Sequence, residues 1–257
     1  MRIASIRVIP LSHRKTDPPM QRTYALIRVE TDTGLVGWGE ASSNYGHSYP
    51  TVVKALVEDV VARNIAGRDP RDIRGAVAAM KVLLDGYLGW EGLTSQVIGG
   101  IEIALWDILG KSVGEPVCRL LGGAPTSLPL YGTGTTMFDA TPEWYGEYFD
   151  ACLARGFKAV KVRLDVTIPE CVERVAAVRA HVGPDVKIAV DAYWGFSTDD
   201  ALPLARQLEP YDIFFFEEPS PQYQTEGFAR LGRLSPAKIA VGERVYSPRQ
   251  FHAIAKA

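Results

Sequence analysis

The chain opens on runs in which apolar and polar positions alternate. Ile3 to Leu11 and Tyr24 to Glu30 follow the period of a strand, and Asp32-Thr33-Gly34 turns the chain into Leu35 to Glu40, so a β-meander is predicted. The polar, proline-bearing stretch Ser12 to Arg22 reads as a loop between the first two strands. Apolar residues then recur at helical spacing. Pro50 to Ile65 carries Val53, Leu56, Val57, Val60 and Val61; Pro70 to Leu84 opens with Asp69 as the cap and Pro70 at the first helical position; Thr94 to Lys111 carries Val97, Ile98, Ile101, Leu105, Ile108 and Leu109. Residues 1–125 are therefore expected to form an α+β domain.

From Leu128 the rhythm changes to strand and helix in alternation over residues 126–257. Leu128 to Tyr131, Ala159 to Leu164, Val186 to Asp191, Ile213 to Glu217 and Ile239 to Glu243 read as strands. Helices are expected to open near Thr141, Ile168, Thr198, Thr225 and Ser247. That makes five βα units of a parallel sheet, where a closed barrel takes eight. The last helix runs into Lys256-Ala257 with no glycine or asparagine stop, so a chain truncated at its C-terminus is expected, its barrel open at two strand edges.

Three of those strands end in an acid at one fixed interval. Asp191 and Glu217 are 26 residues apart, and so are Glu217 and Glu243, which fits successive βα units each carrying a carboxylate at the strand tip. An acid there can also cap the following helix. Three oxygen donors converging on one mouth, with no interleaved cysteine or histidine, suit Mg²⁺ or Mn²⁺ better than zinc or copper. In Glu217-Glu218-Pro219, alternation sends the two acids to opposite sides, and Glu217 is taken as the ligand. Lys161 and Arg163, two apart on a neighbouring strand, share a face and point into the same mouth. Such a pair suits a substrate carboxylate, and burial beside another cation is expected to lower the pKa of Lys161, fitting it to act as a base.

Composition narrows the classes further. At 257 residues, 47% hydrophobic and with a net charge of -2, the chain carries no basic footprint for nucleic acid. No segment is apolar and long enough for a membrane span, and the start lacks an export signal. Cys118, Cys152 and Cys171 are scattered and odd in number, as in reduced core thiols of a cytoplasmic protein. His13, His47, His181 and His252 fall at no strand tip; His181 reads as a helix C-terminal residue favoured by the dipole. Gly132-Thr133-Gly134 lacks the third glycine of a dinucleotide site.

The helix Ile103 to Lys111, Gly114-Glu115-Pro116, Leu120-Leu121-Gly122-Gly123, the Lys161-Val162-Arg163 strand, Asp191, Phe216-Glu217-Glu218-Pro219 and Gly242-Glu243 occur in one order, and that set resembles the mandelate racemase/muconate lactonizing enzyme branch of the enolase superfamily over essentially the whole chain. The resemblance implies an N-terminal α+β capping domain followed by an incomplete, five-unit TIM-like (β/α) barrel of the enolase type. It implies Mg²⁺ held by Asp191, Glu217 and Glu243, abstraction of the proton alpha to a carboxylate, and stabilisation of the resulting enediolate. Lys161 matches the first lysine of the family's Lys-x-Lys motif; the second, commonly a base, is Arg163 here.

A guanidinium with a pKa above about 12 is a poor proton acceptor and a better clamp. A racemase needs a base on each face of the alpha carbon, so the expected reaction is dehydration of a sugar acid to a 2-keto-3-deoxy acid. An epimerase or racemase, a cycloisomerase, or a fragment without activity are the alternatives. The barrel units that carry the family's His-Asp pair are missing from this sequence. Loops His13 to Thr23 and Asn44 to Tyr49 are the expected specificity elements, with Arg22, Tyr45 and His47 as substrate-binding candidates beside a purely surface reading. Tyr193 stands where many relatives carry asparagine, and Trp194 beside it adds bulk. A small-molecule carboxylate is the expected partner, and a homo-oligomer is expected of the full-length chain.

Overall fold

A computed structural model describes residues 1–16, 19–42, 47–134, 140–221 and 223–256, and the chain divides into two units, Met1–Thr126 and Ser127–Ala257. In the first, β1 (Ile3–Thr16), β2 (Pro19–Thr31) and β3 (Val36–Glu40) form an antiparallel sheet in that order. The expected loop Ser12 to Arg22 is instead mostly ladder, with Ser12 opposite Thr23, His13 opposite Arg22 and Thr16 opposite Pro19. The alternating segment Ile3 to Leu11 sets the register, and pairing then runs on past it, where Ser12, His13, Arg14 and Gln21 are exposed and show no buried face. Pro10 is accommodated because β1 is an edge strand.

The segment 50–65 is helical but not uniformly α. A π-helical stretch, Ala55–Val61, joins α1 (Pro50–Lys54) to α2 (Ala62–Ile65). Val53, Val57, Val61 and Ile65 are all fully buried, one every four residues. In an α-helix that spacing overshoots a full turn by about 40° a step, whereas the wider π turn falls short by a similar amount, so the mixed helix keeps the four near one face. Val60, which α-helical spacing would put on the seam, is 37% exposed. The next helix, α3 (Ile73–Leu88), begins later than Asp69-Pro70 predicts, because Asp72 accepts from the Gly75 amide as the cap while Asp69 binds Arg71. Helix α4 (Leu93–Val113) lies against β3 through glycines: a Cβ on Gly39 would stand 1.9 Å from the Gly100 carbonyl oxygen. A short α5 (Val117–Leu120) follows.

In the second unit β4 (Gly132–Thr133), β5 (Ala159–Arg163), β6 (Lys187–Asp191), β7 (Ile213–Glu217) and β8 (Ile239–Ala240) form one parallel sheet in sequence order. Helices α6 (Pro142–Ala154), α7 (Ile168–Val182), α8 (Thr198–Leu208) and α9 (Thr225–Leu234) connect them, and α10 (Pro248–Lys256) follows β8. Thr141 and Ser197 cap α6 and α8 by accepting from the Trp144 and Asp200 amides. Val160, Val162, Ile188, Val190 and Phe216 are fully buried in one core with Phe149, Val175 and Leu204 of the helices.

Five consecutive βα units of this kind are the arrangement of a partial TIM barrel, with β4 and β8 at the two edges of the sheet. Two boundaries differ from the sequence reading. The first strand is Gly132–Thr133 in place of Leu128 to Tyr131, whose Leu128 is 74% exposed. Strand β8 ends at Ala240, three residues short of Glu243.

Candidate active site

Register brings the chemistry to one level. Arg163 pairs with Asp191, Asp191 with Glu217, and Glu217 with Ala240, so the C-terminal ends of four strands lie side by side. Alternation sends Val162 and Val190 into the helix-covered core and turns Lys161, Arg163 and Asp191 to the other face, where they are nevertheless buried. Lys161 Nζ lies 2.6 Å from Glu217 Oε2 and 3.2 Å from Asp191 Oδ2, and Arg163 Nη1 lies 2.8 Å from Asp191 Oδ2. Beneath them the Tyr145 hydroxyl accepts from the Arg163 amide, and Arg174 donates to the Arg163 carbonyl and to Asp165.

These contacts reverse one expectation. Burial pushes the Lys161 ammonium down, but its hydrogen bond to Glu217 and the charges of Asp191 and Glu217 outweigh that, and its pKa is raised. Lys161 holds its proton in this arrangement. Burial pushes the Glu217 carboxyl up; Lys161 draws it back, Asp191 and Glu243 push it further, and the net direction is upward. Both partners of one ion pair rise for different reasons: burial leads at Glu217, with Asp191 and Glu243 adding to it, whereas at Lys161 the neighbouring carboxylates outweigh burial.

Glu243 is reached through the turn after β8. The Glu218 carboxylate, 1% exposed, accepts from the Gly242 and Glu243 amides at 2.7 and 3.1 Å. Glu218 itself has φ 42°, so what separates it from Glu217 is a left-handed residue at the strand end, where the sequence reading invoked simple alternation. Tyr193 and Trp194 also have positive φ, 50° and 51°. Their amides are occupied by Asp191 Oδ1 at 3.0 Å and the Glu218 carbonyl at 2.6 Å. Trp194 donates its indole N–H to Glu243 Oε1 at 2.8 Å. Left-handed non-glycine residues persist where their surroundings over-determine them, which functional sites commonly do.

The donor set fits a hard divalent cation, since it offers oxygen only. As the side chains stand, no group of three or more His, Cys, Asp or Glu among the described residues is spaced to hold an ion, and Lys161 lies between Asp191 and Glu217. Of the substrate-binding candidates, Arg22 lies on β2 opposite His13, and His47 forms a bridge with Thr23 at the wall of a cleft of about 510 Å³ in the first unit. Tyr45 falls outside the described residues. His181 binds Asp150 at 2.9 Å near the C-terminal end of α7. The sequence reading missed Tyr145, Arg174 and Arg244. Nothing in their local pattern separates them from ordinary helix and loop residues, whereas Trp194 was visible as an oddity beside Asp191.

Comparison with known proteins shows the family and the fold. Residues 10–122 match the mandelate racemase / muconate lactonizing enzyme N-terminal domain, and residues 145–257 match the enolase C-terminal domain-like model. The chain is similar to a D-galactarolactone cycloisomerase of Agrobacterium fabrum (strain C58 / ATCC 33970), 32% identical over 95% of this chain and 65% of that protein. It is also similar to a D-gluconate dehydratase of Thermoproteus tenax, 31% identical over 96% of this chain and 51% of that protein. The chain thus spans between half and two thirds of the length of these relatives. A crystal structure of a racemase from Streptomyces coelicolor A3(2) with bound magnesium superposes with a TM-score of 0.88 at 29% identity, over 99% of this chain and 74% of that one.

Proposed function

Because the chain belongs to the mandelate racemase/muconate lactonizing enzyme family of the enolase superfamily, we propose that it carries the metal-binding half of a sugar-acid enzyme, most simply a dehydratase that converts an aldonate or aldarate to a 2-keto-3-deoxy acid. The observation that carries this reading is the level set of Asp191 and Glu217 on adjacent strands with Lys161 between them. Asp191, Glu217 and Glu243 would hold Mg²⁺, which when bound supplies positive charge beside the substrate carboxylate and so acidifies the proton alpha to it.

The residues of the chain bind and orient. Lys161 and Arg163 present two cations that keep their protons, one drawn up by its carboxylates and one a guanidinium. Both suit a carboxylate or hydroxyl of the substrate, and neither takes the alpha proton in this state. Burial of Lys161 and Arg163 thins the water around these charges and strengthens their pull on a bound acid.

A cycloisomerase is the second reading, favoured by the 32% identity to D-galactarolactone cycloisomerase. Incubation with Mg²⁺ and a panel of aldonic acids, aldaric acids and their lactones in D₂O separates the two. Formation of a 2-keto-3-deoxy acid from a free aldonic or aldaric acid, with loss of water, supports dehydration. Opening of a lactone without loss of water supports the cycloisomerase, and alpha deuteration with inversion and no keto product would displace both.

A further inference from the structure

The outermost of the three carboxylates is the least supported by the sheet. Glu243 lies three residues beyond the last paired residue, Ala240, on the edge strand, so strand pairing does not place it. Two other strand ends do. Glu218, following β7, takes the Gly242 and Glu243 amides, which fixes the backbone. Trp194, following β6, takes the side chain through its indole N–H, and the Arg244 guanidinium lies 3.6 Å over the same indole. The Tyr193 ring lies 3.7 Å from the indole, centroid to centroid, and itself carries Arg163 at 4.2 Å.

We propose that Trp194 is a positioning residue for Glu243: its indole N–H, held by contacts with Arg244 and Tyr193, aims the third carboxylate toward Asp191 and Glu217. This rests on the metal-binding reading above and deepens it. The physical reason is order. A carboxylate on a turn has several rotamers, and a divalent ion gains most from a donor already fixed in one of them; a hydrogen bond to one of its oxygens supplies that fixing. The left-handed backbone of Tyr193 and Trp194 is the local distortion that brings the indole across β7 to the turn after β8.

The test separates the N–H from the ring. Trp194→Phe keeps an aromatic plane for Arg244 and Tyr193 but has no donor, whereas Trp194→Gln keeps a donor without the ring. Mn²⁺ binding to the 257-residue chain is followed by the electron paramagnetic resonance of the free ion. Trp194→Phe is expected to bind about 10- to 100-fold more weakly, the usual effect of losing a hydrogen bond to a ligating carboxylate, and Trp194→Gln to recover part of that loss. Mn²⁺ affinity in Trp194→Phe equal to wild type overturns the inference. Should the wild-type chain take no Mn²⁺, the metal reading fails, and the inference is judged by the Trp194 indole N–H resonance, assigned by its loss in Trp194→Phe. That resonance moves upfield in Glu243→Gln if the bond holds this carboxylate, and an unmoved resonance overturns the inference.

Discussion

Lys161 Nζ stands 2.6 Å from Glu217 Oε2 although their strands, β5 and β7, are separated by β6. The ammonium reaches past Asp191, touching it at 3.2 Å on the way, and so joins the tips of three strands with one charge. It is the cation shared by Asp191 and Glu217, while Arg163 also binds Asp191.

Replacing Lys161 by Met should therefore leave Glu217 without the ammonium that pairs it, and the 4%-exposed Asp191 side chain with Arg163 alone. Breaking a buried pair from one side costs about 3 kcal/mol. Urea unfolding in the presence of EDTA should show a loss near that size, and adding Mg²⁺ should restore part of it. A variant as stable as wild type in EDTA would mean that the ammonium balances nothing.

The close approach of α4 to β3 gives a second, independent prediction. Gly39→Ala forces a methyl against the Gly100 carbonyl, backbone against backbone with no side chain to yield, and should cost about 3 kcal/mol or more. Gly99→Ala, one residue away on the same helix with nothing within 4 Å of the added carbon, should gain about 0.5–1 kcal/mol. Thermal unfolding of the two variants should move in opposite directions.

What the sequence made legible follows from what alternation and spacing can encode. The strands ending in Asp191 and Glu217 could be read because an apolar run and an acid at a fixed interval are local signals. The His13 to Arg22 ladder could not, because its pairing continues that of the strand segment before it, and His13, Arg14 and Gln21 are exposed and show no buried face. The direction of the Lys161 shift was misread for a related reason: its neighbour in sequence is a cation, but its neighbours in space are carboxylates 30 and 56 residues on. The path from Trp194 to Glu243 spans 49 residues and depends on three left-handed residues that no propensity announces.

Cysteine reactivity offers a check on the core of the second unit. Burial pushes the Cys171 thiol up to about 11, and it donates to the Val166 carbonyl, whereas Cys118 is exposed. At pH 8.5 about 0.3% of Cys171 is thiolate, against roughly half for an ordinary thiol. Brief alkylation with iodoacetamide and peptide mass spectrometry should find label on Cys118 and little on Cys171. Equal labelling would show that α7 does not pack as described.

The claim on which the account depends is that Asp191, Glu217 and Glu243 hold one divalent cation between them. Isothermal titration of Mg²⁺ into the wild-type chain and into Glu217→Gln, side by side, tests it most directly. The prediction is a single-site isotherm for wild type that is lost in the variant; an identical isotherm in the variant, or no binding heat in wild type across a range of temperatures, would contradict it.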